Sequence, residues 1–327
     1  MREAELSIGS IVNPVAEELA ALETLLEKVA EIDDPIFADL LRHILRGRGK
    51  RLRPAIAFLV NGLVAGDREH SLLLAGALEL LHTATLVHDD LVDHSFIRRG
   101  NPTLNAIASQ GVTVLVGDYL FACAADYANR CRNLEVMDVF VRAAMTICKG
   151  EVRQVFSAGD YDQSLADYYR QIDSKTASLF AAAAECPGIL AGLEPAAVVR
   201  LRAYGHSLGV AFQIADDILD FTGDEKVLGK PVGSDLRQGT VTLPAMYALQ
   251  SVAVGERLRS LLDGNGDREA NLSQAVQLIR QSTAIEDSYQ TAADFARAAK
   301  ESVLAFPDSA YRRSLLALAD YAISRER

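Results

Sequence analysis

Leu81-His82-Thr83-Ala84-Thr85-Leu86-Val87-His88-Asp89-Asp90-Leu91-Val92-Asp93 sets a mainly apolar run against three acids. A second stretch, Gly209-Val210-Ala211-Phe212-Gln213-Ile214-Ala215-Asp216-Asp217-Ile218-Leu219-Asp220, does the same. Both end in D-D-x-x-D. A carboxylate taken out of water is costly unless a cation or hydrogen-bond donors meet it. At 100° per residue, with Asp89 as reference, Asp93 falls at about 40° and Asp90 at about 100°. The same holds for Asp216, Asp220 and Asp217. Like charges at i,i+4 repel, so each cluster calls for a neutralising partner. Oxygen-only donors point to Mg²⁺ or Mn²⁺, which shares one or two carboxylates with water and substrate phosphates. The expected architecture is a helical cup with the two clusters facing each other across its mouth.

The neighbours strengthen this reading. His82 lies at about 20° on the first wheel and Gln213 at about 60° on the second, so each shares an acidic face. His88 and His94 point elsewhere. Lys50, Arg51 and Arg53 form a tight cationic group, and Arg98 and Arg99 follow the first cluster. Arg suits forked bonding of phosphate oxygens and Lys a point-charge contact. Lys175-Thr176 and Lys230 offer further donors. Gly223 to Lys230 is not a P-loop, because the spacing is one residue too long and Pro231 stands where Ser or Thr is needed.

The remaining pattern is helical. Hydrophobic residues make up 50% of the 327-residue chain and aromatics 6%, with no Trp. Ala and Leu abundance favours helices. The spacing predicts helices over about 15–30, from Pro35 into the basic stretch, 71–93, 112–130, 135–157, 164–185, 195–221 and 241–253, with more between 268 and 327 around Pro307. Arg98-Arg99-Gly100-Asn101-Pro102 reads as a loop. With no alternating strand and no short repeat, one all-α domain over residues 1–327 is the simplest organisation.

A net charge of -11 argues against nucleic acid as the main partner. The four cysteines are scattered without a CxxC pair, as free thiols in a reducing compartment would be. No signal-peptide pattern opens the chain, and no run reaches the ~18 apolar residues of a membrane span. The expected location is cytoplasmic.

These motifs together resemble the trans-isoprenyl diphosphate synthases, or polyprenyl synthetases. Gly49-Lys50-Arg51-Leu52-Arg53-Pro54 is similar to the family's GKRxRP. The run from Leu81 to Asp93, with Arg98-Arg99-Gly100 after it, resembles the first aspartate-rich motif. Lys175-Thr176 resembles the KT pair. Gly209 to Asp220 resembles the second motif, and Gly229-Lys230-Pro231 the GK after it. The resemblance implies the isoprenoid synthase fold, antiparallel helices around a deep central cavity. The implied reaction is head-to-tail condensation of isopentenyl diphosphate onto an allylic diphosphate. By matching position, Asp89 and Asp93, supported by Asp90, and Asp216, Asp217 and Asp220 would hold Mg²⁺ on the allylic diphosphate. Arg98, Lys175, Thr176, Gln213 and Lys230 would contact that substrate. Lys50, Arg53, His82 and Arg99 would bind isopentenyl diphosphate. Among these, Asp89, Asp93, Asp216, Asp217, Lys175 and Arg98 carry the implied catalysis.

In the family a bulky residue just before the first motif blocks chain growth. Here Ala84 and Thr85 stand there, with Ala77 and Leu81 further along the helix, which implies a product longer than about C20, with roughly C30–C50 favoured by the length of helix left open. A shorter-chain farnesyl or geranylgeranyl diphosphate synthase is the alternative, as is a non-catalytic subunit of a heteromeric synthase. A class I terpene cyclase fits less well, since DDILD and the basic group Lys50/Arg53 are not cyclase features. One departure stands out: in Gly239-Thr240-Val241-Thr242-Leu243-Pro244 the usual Lys is Thr240. The family also implies a homodimer through a helical face, and an apolar product suggests peripheral membrane contact for release.

Overall fold

The structure, a computed structural model, describes residues 7–47, 49–98, 100–157, 159–223, 231–264 and 267–324. Arg48, Arg99, Gly229 and Lys230 lie outside the described residues. Helices dominate: α1 Ala16–Glu27, α2 Pro35–Leu45, α3 Leu52–Leu63, α4 Arg68–Val92, α5 Gln110–Arg130, α6 Leu134–Ser157, α7 Leu165–Ile172, α8 Ser178–Leu190, α9 Pro195–Thr222, α10 Leu243–Gln250, α11 Gly255–Asp263, α12 Arg268–Arg280, α13 Ala284–Val303 and α14 Ala310–Ser324. Between α7 and α8, Asp173–Ala177 forms a π turn. Among the described residues the strand content is one antiparallel ladder, β1 Ile97–Arg98 with β2 Asn101–Pro102, in the segment read as a loop. The chain is all-α, as the periodicity predicts.

Start signals are legible. Asp34 caps α2 by accepting from the Ile36 and Phe37 amides, ahead of Pro35. Asp67 caps α4 through the His70 amide at 2.7 Å, which starts that helix three residues earlier than its apolar pattern suggests. Two features depart from expectation. Pro187 sits inside α8, beyond the expected end of the helix at 185, and α11 fills a segment assigned no element.

The chain divides into two compact units. The first comprises Met1–Ala144, Leu179–Gly205 and Val303–Ala317; the second comprises Met145–Ser178, His206–Ser302 and Leu318–Arg327. In the first, α4 is the central helix, packed on α5, α3 and α1. It buries Leu74, Ala77, Leu78, Leu80, Leu81, Ala84 and Val87. Full burial of a Leu-sized side chain is worth about 1.5–3 kcal/mol relative to exposure, so this stripe fixes the helix that carries the first acidic cluster. In the second unit, Tyr168, Ile172, Val210, Ile214, Ile218, Phe221, Leu236, Leu243 and Met246 belong to one core.

Contrary to the expectation that no stretch is suited to span a membrane, α4 and α5 are long and apolar enough by length and composition. The most apolar window of α4 is 67% buried and that of α5 39%. Central packing explains the apolarity of α4; α5 leaves Val114, Leu115 and Phe121 exposed.

Candidate functional site

The first cluster sits at the C-terminal end of α4. The Asp93 amide closes the helix on the Asp89 carbonyl at 2.8 Å. His94 then adopts a left-handed conformation at φ 51. Its amide reaches the Leu91 carbonyl while the Ser95 amide reaches that of Asp90, a Schellman termination. Three acids therefore stand where the helix dipole is already negative, which sharpens their need for a cation. They are not equivalent. Asp90 is 6% exposed and its Oδ1 accepts from Arg98 Nε at 2.8 Å. Burial pushes its carboxyl upward, and Arg98 only partly offsets this. Asp89 is half-buried and Asp93 exposed.

Arg98 comes within reach because the β1–β2 ladder folds the chain back. Thr103 Oγ1 donates to the Ser95 carbonyl at 2.7 Å, and a His43 ring nitrogen meets the Pro102 carbonyl at 2.9 Å. His82 is half-buried two turns before Asp89 on α4. His88, between them in sequence, turns to α5 and approaches the Val114 carbonyl at 3.3 Å. Gly117 permits this approach: a Cβ there would meet His88 Nε2 at 2.2 Å.

The basic group divides as well. Lys50 is exposed and Arg53 half-buried, with the Arg53 guanidinium 4.9 Å from the Phe180 ring centroid. Arg51, read with them as a phosphate-facing cation, is instead committed to the protein. Its Nε and Nη2 donate to Glu23 at 2.7 and 3.2 Å, and Nη1 donates to Glu79 at 2.6 Å. Burial opposes this charge, but Glu23 and Glu79 outweigh it and hold the guanidinium above its ordinary value. Of the positions linked to chain length, Ala77, Leu81 and Ala84 are buried, and Thr85 Oγ1 donates to the His82 carbonyl at 2.8 Å.

In the second unit a chain of hydrogen bonds organises the other cluster. Thr176 Oγ1 donates to Gln213 Oε1 at 2.6 Å, Gln213 Nε2 donates to Asp217 Oδ1 at 2.9 Å, and Tyr168 Oη donates to Asp217 Oδ2 at 2.7 Å. Asp217 is 3% exposed. Burial, with Asp235 and Asp216 nearby, pushes its carboxyl up to about 8, although Gln213 and Tyr168 pull the other way. Asp220 is also buried; its carboxylate accepts from the Asp235 amide at 3.1 Å and its carbonyl from the Gly233 amide at 2.7 Å. Asp216 is half-buried.

Lys175 lies in the π turn, a distortion that often marks functional sites. Its Nζ is 3.3 Å from both Glu151 Oε1 and Gln154 Oε1 on α6. Gly150 lets α6 pass this close, because a Cβ there would stand 2.4 Å from Ser174 Cβ. Thr240, where a Lys was expected, is half-buried, and its amide donates to the Asp235 carbonyl at 2.8 Å.

Sequence reasoning missed Tyr168, Asp235, Glu23 and Glu79. Glu79 carried a signal, an acid inside the apolar run Leu78-Glu79-Leu80. Tyr168 carried none. Among the described residues no three His, Cys, Asp or Glu side chains already form a metal-ligand group. The donor set still fits an oxygen-preferring divalent ion: Asp89 and Asp93 are carboxylates one turn apart and accessible, and Mg²⁺ leaves most of its shell to water and phosphate.

Comparison with known proteins agrees with this arrangement. The polyprenyl synthetase family profile matches residues 34–279. A prenyl transferase of Synechocystis sp. is 38% identical over 98% of this chain and 99% of its own. The octaprenyl diphosphate synthase of Escherichia coli (strain K12) is 35% identical over 98% of this chain and 100% of its own. A polyprenyl synthase from Caulobacter crescentus, solved in complex with calcium and isoprenyl diphosphate, superposes with a TM-score of 0.90 at 37% identity, covering 98% of both chains. A family match across most of the chain and relatives of this identity over nearly all of it place the protein in the polyprenyl synthetase family of prenyltransferases.

Proposed function

We propose that the chain condenses isopentenyl diphosphate head to tail onto an allylic diphosphate, giving an all-trans polyprenyl diphosphate. The observation that carries this is the end of α4. Asp90 is turned inward onto Arg98, whereas Asp89 is half-buried and Asp93 exposed, so two carboxylates one helical turn apart reach the surface where a metal ion can approach. Asp89 and Asp93 would hold Mg²⁺, or Mn²⁺, on the allylic diphosphate. Asp216, with Asp217 and Asp220 behind it, would do so in the second cluster. The chemistry supplied by bound Mg²⁺ is neutralisation of charge building on the departing diphosphate.

The chain's own groups do the rest. Arg98, Lys175, Thr176, Gln213 and Lys230 would bind the allylic diphosphate; Lys50, Arg53, His82 and Arg99 would bind isopentenyl diphosphate. Ionisation leaves an allylic cation, which the isopentenyl double bond attacks before a proton is lost. The released diphosphate can take that proton, so no side-chain base is required. Apolar walls must exclude water from the cation.

Ala84, Thr85, Ala77 and Leu81 support a long product, roughly C30–C50, because none of them is the bulky aromatic that blocks chain growth in the family at this stretch of the helix; the octaprenyl relative points the same way. The exposed Val114, Leu115 and Phe121 on α5 and Val141 on α6 support a homodimer through these helices. Purified protein incubated with labelled isopentenyl diphosphate, geranyl, farnesyl or geranylgeranyl diphosphate and Mg²⁺ tests the reading. Labelled products sized above about C20 are expected, given the small residues just before the first acidic cluster on the helix. No incorporation with any primer would overturn the proposed activity. Products stopping at farnesyl or geranylgeranyl diphosphate would overturn the length alone.

A further inference from the structure

Arg51 occupies an unusual position. It is a non-glycine residue in left-handed backbone, φ 48 and ψ 38, at the entry to α3. Such conformations cost on the order of 1–3 kcal/mol and persist where the surroundings dictate them. Here the dictating groups are Glu23 and Glu79. The Arg51 side chain is 11% exposed and that of Glu79 7%, with Glu23 at 32%. One cation faces two carboxylates, and it and Glu79 are largely out of bulk water. A buried ion group of this kind is weak evidence for stability, since desolvation consumes most of the attraction. Its geometric effect is the stronger one. A planar guanidinium gripping two carboxylates fixes both the place and the rotation of its own backbone.

That backbone is the turn that presents Lys50 on one side and Arg53 on the other. The Arg51 carbonyl accepts the Ala55 amide at 2.9 Å, so the same residue also sets where α3 begins. Glu79 belongs to α4, one turn before His82, and its carbonyl accepts from Thr83 Oγ1 at 2.7 Å. The clamp therefore ties the basic turn to the helix that carries His82 and Asp89. Both carboxylates bind Arg51, the residue between Lys50 and Arg53 in this turn.

We infer that Glu79, Glu23 and Arg51 are positioning residues that set affinity for isopentenyl diphosphate by holding the Lys50–Arg53 turn against α4. This rests on the proposed function. The test is steady-state kinetics of Glu79→Gln, Glu23→Gln and Arg51→Lys, varying isopentenyl diphosphate and farnesyl diphosphate separately, with thermal melting of each variant and Lys50→Ala alongside. Glu79→Gln and Arg51→Lys are expected to raise KM for isopentenyl diphosphate at least tenfold, with kcat and the farnesyl diphosphate KM within about twofold, an effect confined to one substrate as positioning requires. Glu23→Gln, more exposed and therefore the safer variant to fold, should shift the same KM by a smaller factor. An unchanged isopentenyl diphosphate KM, or an equal rise in both KM values with a lower Tm, would overturn the inference. If Lys50→Ala raises the isopentenyl diphosphate KM and Glu79→Gln does not, the inference alone fails. If Lys50→Ala leaves it unchanged, the assignment of the basic turn to isopentenyl diphosphate fails first, and the inference with it.

Discussion

Removing one hydroxyl, by Tyr168→Phe, isolates what holds the second acidic cluster in shape. Tyr168 is 1% exposed and Asp217 3%. Gln213 Nε2 satisfies one carboxyl oxygen at 2.9 Å and Tyr168 Oη the other at 2.7 Å. Without the hydroxyl, Oδ2 faces an apolar ring edge where water has little room. A buried acceptor stripped of its donor costs about 1–3 kcal/mol, toward the upper end when it is charged. Charge depends on pH here, because burial lifts the Asp217 carboxyl to about 8. At pH 6 the group is largely neutral in the metal-free protein, and the penalty should be about 1 kcal/mol. At pH 9 it is ionised, and the penalty should reach about 2–3 kcal/mol. Urea unfolding of metal-free protein, followed by circular dichroism because the chain has no Trp, measures both. Asp217→Asn completes a double-mutant cycle. Coupling of about 1 kcal/mol or more at pH 9 is expected for groups in contact. Additive effects, or a Tyr168→Phe penalty that shrinks as pH rises, would refute the reasoning.

Four other outcomes follow from the same geometry. The Asp217 carboxyl is raised in the folded state, so between its unfolded value of about 4 and about 8 the folded protein binds the extra proton. Metal-free stability should therefore fall by about 1 kcal/mol per pH unit across that window, and Asp217→Asn should flatten the slope in urea titrations at several pH values. Asp93→Asn should cut activity at least ~100-fold while leaving Tm unchanged or slightly higher, since it removes an exposed charge from a helix C-terminus. Ala84→Phe should shorten the product, read by chromatographic sizing, and an unchanged distribution would remove Ala84 from the account of chain length. Leu115→Glu, at a side chain 67% exposed, should shift the protein from dimer to monomer in size-exclusion chromatography without unfolding it.

Most of the fold was legible because its signals are local. Asp34-Pro35 and Asp67 cap the helices they precede, and the apolar spacing of α4 and α9 follows the helical period through the aspartates. The misses have a physical pattern. The spacing ends a helix at about 185, yet α8 runs through Pro187 to Leu190 as tertiary packing overrides local preference. The π turn at Lys175 leaves no trace in spacing, because it arises where that segment meets Gly150. At the sites, residue types and helical faces were readable from sequence, but partners were not. Arg51 and Arg53 look alike in a string of letters. What separates them is a left-handed backbone and two carboxylates brought from 28 positions away in either direction.

The two clusters share a spelling but not an environment, and helix geometry explains why. The second Asp of D-D-x-x-D stands three residues after Val87 in one case and after Ile214 in the other, so each prolongs a buried stripe: Leu80, Ala84, Val87, Asp90 on α4, and Val210, Ile214, Asp217, Phe221 on α9. An acid on such a stripe must bring its own partners, hence Arg98 for Asp90 and the Tyr168–Gln213 pair for Asp217. The fifth position, three residues further, also falls on the core side. On α4 the helix has ended by then, so Asp93 emerges into solvent at the helix cap. On α9 the helix continues to Thr222, so Asp220 is buried and accepts the amide of Asp235 as the chain returns. One motif thus yields an open carboxylate pair in the first unit and a braced, inward-turned cluster in the second. Metal affinity should be set chiefly by Asp89 and Asp93 where the acids are accessible, and by how firmly Tyr168, Gln213 and Asp235 hold the scaffold where they are not.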